Sequence, residues 1–81
     1  MIEVIEMMYP MSIEVGDTIK TKYGNCVIKG LGANYNNTIF ICEDVYDIEH
    51  VIECSDDRRV PVVFMKEEEV EWTYGGGGVG Y

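Results

Sequence analysis

Cys26, Cys42, His50 and Cys54 are the side chains in this sequence whose types could form a metal site or a nucleophilic pair. Zinc takes thiolate and imidazole ligands, and His50 and Cys54 share one face if their segment is a strand. Structural zinc sites, however, are usually built on close pairs such as Cys-x₂-Cys, whereas these four residues are sixteen, eight and four positions apart. A Cys/His nucleophile requires a thiol activated by a helix N-terminus or a cationic neighbour, and neither is evident around the three cysteines. The thiols are therefore expected to pack as small apolar groups, with His50 half-buried at a sheet edge. Carboxylate pairs are frequent, but Glu43-Asp44, Asp56-Asp57 and Glu67-Glu68-Glu69 fall in turns or element ends, where solvated charge is expected. No EF-hand spacing is present, and Gly75 to Gly78 lacks the Lys-Ser/Thr and following helix of a phosphate-binding loop. Catalytic residues, cofactor and metal are accordingly all expected to be none. Tyr23, Tyr35, Tyr46, Trp72 and Tyr74, in so acidic a chain, would suit an aromatic cage for an ammonium group, although a small β-domain needs similar rings for packing. A cage or a zinc site is the third functional reading of the sequence.

Fifteen acidic against six basic residues give a net charge of −9. Residues 1–41 hold four acids and three bases, and residues 42–81 hold eleven acids and three bases. Nucleic-acid binding requires cations that displace condensed counterions, so direct contact with DNA or RNA is not expected. A basic protein surface is the expected partner. With 81 residues there is room for one domain, and 47% hydrophobic residues are too many for a disordered chain. The start, Met1-Ile2-Glu3-Val4-Ile5-Glu6, carries Glu where an export signal needs Lys or Arg, and the three cysteines suit reduced thiols. A cytoplasmic protein without a membrane segment is the expectation.

Period-two patterning dominates the chain, which predicts an all-β fold. Ile19, Thr21 and Tyr23 alternate with Thr18, Lys20 and Lys22, and Cys26 to Leu31 can return as a partner strand after a turn at Tyr23-Gly24-Asn25. The first hairpin is thus predicted over about 17–31, with Ile19 facing Ile28. Gly30, Gly32, Asn34, Asn36 and Asn37 read as a polar loop, and Thr38 to Cys42 as a central strand. Residues 45–54 read as a strand with Tyr46, Ile48, His50, Ile52 and Cys54 on one face. Ser55 to Arg58 forms a turn, and Val60 to Met65 a strand with Pro61 at an edge or strand end. Lys66 to Glu69 suits one helical turn, and Val70 with Trp72 a brief last strand. The domain organisation is then an N-terminal arm over 1–11, a barrel over 12–74 and a disordered glycine-rich tail over 75–81. The arm could form an extra strand, a short helix or a self-association surface, so a weak homo-oligomer is also expected.

Val15-Gly16-Asp17-Thr18-Ile19, followed by Tyr23-Gly24 and Ile28, resembles the opening Gly-Asp-x-Val…Phe-Gly-x-Gly-x-Val of Tudor-like and KOW-like SH3-type barrels. Cys26 stands where that family often has a second glycine. Such modules occur in transcription-coupled-repair and CarD-type factors and at the C-terminal end of UvrD/PcrA-type helicases. The resemblance implies a small SH3-like barrel of five to six short antiparallel strands. It further implies a strand edge and adjoining loops that bind a protein of the transcription or nucleic-acid-processing machinery, or, in Tudor relatives, a methyl-lysine cage. The expected function is a non-catalytic acidic protein–protein interaction module that binds or inhibits a basic protein, with Tyr46, Glu67, Glu68, Glu69 and Trp72 at the interface. The alternative is an acidic nucleic-acid mimic of the kind phages and mobile elements encode, displaying carboxylates at phosphate-like spacing to a host enzyme.

Overall fold

The computed structural model describes residues 2–67. The chain forms β1 (Ile2–Met8), a 3₁₀ turn (Pro10–Ser12), β2 (Thr18–Thr21), β3 (Gly24–Asn34), β4 (Asn37–Glu43), β5 (Glu49–Ser55) and β6 (Val60–Lys66). These six strands make one antiparallel sheet in the order β1-β6-β2-β3-β4-β5. The fold is therefore all-β. Among the described residues no helix is long and apolar enough to cross a membrane.

Alternation produces the core. Ile19 lies opposite Cys26, Ile28 opposite Cys42, Phe40 opposite Ile52, and Val62 opposite Ile19, so one face of five neighbouring strands is apolar. Ile13, Ile19, Cys26, Ile28, Phe40, Cys42, Val60 and Val62 form one buried cluster, with Met8, Ile52, Cys54 and Phe64 packed against it. A single sheet without a covering helix buries one face by curling, so that this face packs on itself. A register shift in β3 between Ile28 and Gly30 supplies a bend, because the extra residue increases local twist. The 3₁₀ turn brings Pro10 and Ile13 against the core from outside the sheet.

The opening hairpin forms two residues away from its predicted register. Thr21 pairs with Gly24, so Lys22 and Tyr23 make the turn, and Ile19 faces Cys26 rather than Ile28. The reason is local: the Thr21 hydroxyl accepts from the Tyr23 amide at 2.9 Å and donates to the Gly24 carbonyl at 3.0 Å, closing a tighter turn than Tyr23-Gly24-Asn25 would. Asn25 already lies in β3. The Asp17 carboxylate accepts from the Glu14 amide at 2.9 Å, fixing the turn that leads into β2. Gly24 has φ +91° with no atom near a built Cβ, so a side chain there would meet backbone strain alone. Gly24→Val is expected to destabilise by about 1–3 kcal/mol, measured by urea denaturation; an unchanged midpoint would contradict this turn.

The segment 30–37 is not the expected loop. β3 and β4 continue as a ladder to Asn34↔Asn37, turning at Tyr35-Asn36, where Tyr35 takes φ 56°. Gly30 and Gly32 belong to the strand because Ile41 and Ile39 lie across them, 3.5 and 3.6 Å from where a Cβ would stand. Residues 45–48 are a turn rather than the start of a strand, since Asp44 captures the backbone there. The arm over 1–11 contributes β1, paired along its length with β6 from Ile2↔Lys66 to Met8↔Val60. β6 is consequently an interior strand. Pro61 sits at its end, beyond the β2 ladder, which runs only through Thr18↔Val63 and Ile19↔Val62. The predicted strand at Val70 and Trp72 and the tail over 75–81 lie outside the described residues.

Candidate functional site

β4, β5 and the turn between them place exposed apolar and acidic side chains together. The turn is set by Asp44, whose Oδ1 accepts from the amides of Tyr46 at 2.8 Å and Ile48 at 3.0 Å. Its Oδ2 lies 2.8 Å from Nε2 of His50. Asp47 takes φ 64°, a left-handed conformation that Asp tolerates. With its backbone groups tied to Asp44, the turn projects Val45 (73% exposed), Tyr46 (79%) and Ile48 (54%) outward. Val51, on the outer face of β5, is 66% exposed and lies opposite Ile41. Glu43 faces Glu49 and Ile39 faces Glu53 on that same outer face, so carboxylates and apolar groups interleave. Among the described residues β5 is an edge strand, with no strand paired to one side of its backbone.

The Glu43↔Glu49 pair is an unfavourable choice for folding. Like charges directly opposite in an antiparallel ladder cost about 0.2–1 kcal/mol.

Asp44 and His50 form a second element of the site. The His50 hydrogen bond, aided by the Ile48 and Tyr46 amides, holds the Asp44 carboxyl below the ordinary carboxylate range against the opposing effect of burial. The Tyr23 ring stacks on His50 with centroids 3.7 Å apart and planes within 7°, joining the β2–β3 turn to β5. Because the folded pKa of Asp44 is lowered, its stabilisation of the turn is present above the unfolded value, about 4, and is lost as pH falls through the folded value. In an NMR acid titration the Tyr46 and Ile48 amides are expected to shift together below about pH 4, and Asp44→Ala should abolish that step. A common step above about pH 5 would contradict the assignment.

The thiols have no such arrangement. Cys26 and Cys42 are buried and Cys54 is half-buried on the inner face. Burial, with Cys26 alongside, pushes Cys42 up to about 11, and burial raises Cys54 as well, so the nucleophilic thiolate is disfavoured at both. Among the described residues no three His, Cys, Asp or Glu side chains are grouped to hold a metal ion. Of the predicted interface residues, Tyr46 stands on the β4–β5 turn and Glu67 is exposed just after β6, with β2 and β3 between those elements in the sheet. Glu68, Glu69 and Trp72 lie outside the described residues. Tyr35 is 98% exposed at the β3–β4 tip, and Tyr23 is engaged with His50. Tyr23, Tyr35 and Tyr46 thus occupy three different turns; Trp72 and Tyr74 are outside the described residues.

Sequence reasoning missed the Asp44–His50 contact and the Glu43↔Glu49 opposition. Glu43-Asp44 reads as solvated turn charge, yet the Asp44 side chain is only 7% exposed. Two backbone donors and the imidazole replace the water it loses. An Asp at the start of a turn can bond the backbone amide two residues on, and that signal could have found it. Comparison of the chain with protein-family models, with curated proteins and with solved structures returned no match.

Proposed function

We propose that this protein is a non-catalytic interaction module on a small SH3-like barrel, and that it binds a basic protein through the outer face of β4–β5 and the intervening turn. The observation that carries this reading is the exposed set Val45, Tyr46, Ile48 and Val51, interleaved with Glu43, Asp47, Glu49 and Glu53. Apolar anchors among carboxylates suit an extended partner segment that presents alternating apolar and Lys/Arg side chains, added along the outer edge of β5.

The barrel reading is supported by strand order. Without β1, the order β6-β2-β3-β4-β5 places the last strand beside the first of a four-strand meander, the arrangement of SH3-type barrels. The eleven-residue β3, bent at its bulge, can serve both halves of such a barrel, and the Tyr23–His50 stack draws the two halves together. That order supports the resemblance to Tudor-like and KOW-like modules, and with it a partner from the transcription or nucleic-acid-processing machinery. The nucleic-acid mimic is the weaker reading, because a phosphate-like carboxylate array has no use for Tyr46, Ile48 and Val51 between its charges. The outer edge of β1, unpaired among the described residues and with Ile2, Ile5 and Met7 exposed, supports weak self-association as a secondary property. The testing experiment compares partner binding by the wild type, Tyr46→Ala and Glu49→Lys at low and high salt.

A further inference from the structure

A second surface has the opposite charge. Of the six Lys and Arg residues in this net −9 chain, four, Lys20, Lys22, Arg58 and Arg59, line one cavity of about 630 Å³. The cavity lies between the β2–β3 turn, strand β5 and the β5–β6 turn, and its size falls within the range of small-molecule sites. In a chain with so few bases, their convergence opposes the overall charge.

The cations there are largely unneutralised. Among the described residues only Lys20 has a carboxylate partner, Glu3 at 3.2 Å; Lys22 lies over the Tyr23 ring and Arg59 over the Tyr9 ring, each at 5.3 Å. The one acidic residue in the lining, Glu53, turns its carboxylate to the amides of Asn34 and Asn37, at 3.2 and 2.7 Å. Asp56, in the adjoining turn, accepts from the Thr38 hydroxyl at 2.6 Å. Both cation-bearing turns are also internally fixed, the first by the Thr21 hydroxyl and the second by the Arg58 amide donating to the Ser55 carbonyl at 3.1 Å. The positions of Lys22 and Arg58 along the chain are therefore set before a ligand arrives.

We infer that this cavity binds a small ligand bearing at least two phosphate charges, with Arg58, Arg59 and Lys22 on the phosphates. Arg presents a planar fork of donors that suits phosphate oxygens, and Lys adds a compact charge. Val51, Ile52 and Pro61 in the lining give an apolar wall for any organic part. A small ligand is favoured over a nucleic-acid strand for an electrostatic reason. At physiological salt the screening length is about 8 Å, so a compact anion in the cavity feels the local cations, whereas a polymer leaving it would run past Glu43, Glu49 and the other surface acids.

The test is titration of the full chain, followed by amide NMR, with inorganic pyrophosphate, with ATP and with a single-stranded oligonucleotide. Binding of pyrophosphate or ATP should shift the amides of residues 20–23 and 55–61, weaken with added salt, and fall by about tenfold or more in Arg58→Ala/Arg59→Ala. ATP binding well above pyrophosphate would identify a nucleotide as the source, and equal binding a simple phosphate compound. These side chains are exposed, so the variant should melt as the wild type does; Lys22→Ala gives a second reading, and Lys29→Ala, outside the cavity, should bind normally. The inference is overturned if neither small compound shifts these amides at millimolar concentration, if the shifts survive in both cavity variants, or if the oligonucleotide alone binds.

Discussion

Phe40→Ala is expected to cost about 3–5 kcal/mol, the largest stability loss of any single substitution considered for this chain. Phe40 is fully buried and is the largest of the fully enclosed side chains, opposite Leu31 on one neighbour and Ile52 on the other. Removing the ring leaves a cavity in the middle of the inner face that β6, β2, β3, β4 and β5 share, and close-packed neighbours relax only partly to fill it. Total stabilities of small domains are about 5–15 kcal/mol, so the variant should be substantially unfolded or melt far below the wild type. Tyr35→Ala, at the exposed β3–β4 tip, should stay within about 0.5 kcal/mol. Urea denaturation followed by tyrosine and tryptophan fluorescence measures both. Equal midpoints for the two variants would remove Phe40 from the core and with it the inner-face assignment.

Strand periodicity made most of the fold legible. Ile19, Phe40, Cys42, Val60 and Val62 all lie in segments that read as strands, and each is buried. The misread segments were those in which a side chain competes for the backbone. Thr21 tightened the first turn, Asp44 made residues 45–48 a turn, and Gly30 with Gly32, which read as loop glycines, are strand positions left bare beneath Ile41 and Ile39. The candidate surface was only partly visible. Tyr46 could be picked as an exposed aromatic in an acidic stretch, but Glu43↔Glu49 depends on which strand lies opposite, and register is a tertiary property. The cation cluster was less visible still, because Lys20 and Lys22 are far in sequence from Arg58 and Arg59, and a net charge of −9 averages them away.

Tyr46→Ala is expected to have the largest effect on binding. Buried interface aromatics commonly contribute 2 kcal/mol or more when truncated, which is about thirtyfold in affinity. Tyr46 is so exposed that the free protein should lose little, and because its backbone amide rather than its side chain bonds Asp44, the turn should persist in the variant. Val51→Thr keeps the β-branched shape on β5 while adding a hydroxyl to the apolar patch, so it should weaken binding less, without altering the strand. Unchanged affinity in both would place the partner elsewhere on the molecule.

Glu49→Lys gives the most direct measurement, because folding and binding should respond with opposite signs. The protein that wild-type chain retains from an extract of its own cells is identified, purified and titrated against the wild type, Tyr46→Ala and Glu49→Lys at low and at high salt, alongside the melting temperature of each. Replacing one of two opposed carboxylates should raise stability by about 0.2–1 kcal/mol, since an opposite-charge pair replaces a like-charge one. Affinity should fall with that same substitution, while wild-type binding persists at high salt on its apolar anchors and Tyr46→Ala binds weakly at both. Full binding by Glu49→Lys and Tyr46→Ala would contradict the account, as would wild-type binding that vanishes with salt and is indifferent to Tyr46, the behaviour of a carboxylate mimic.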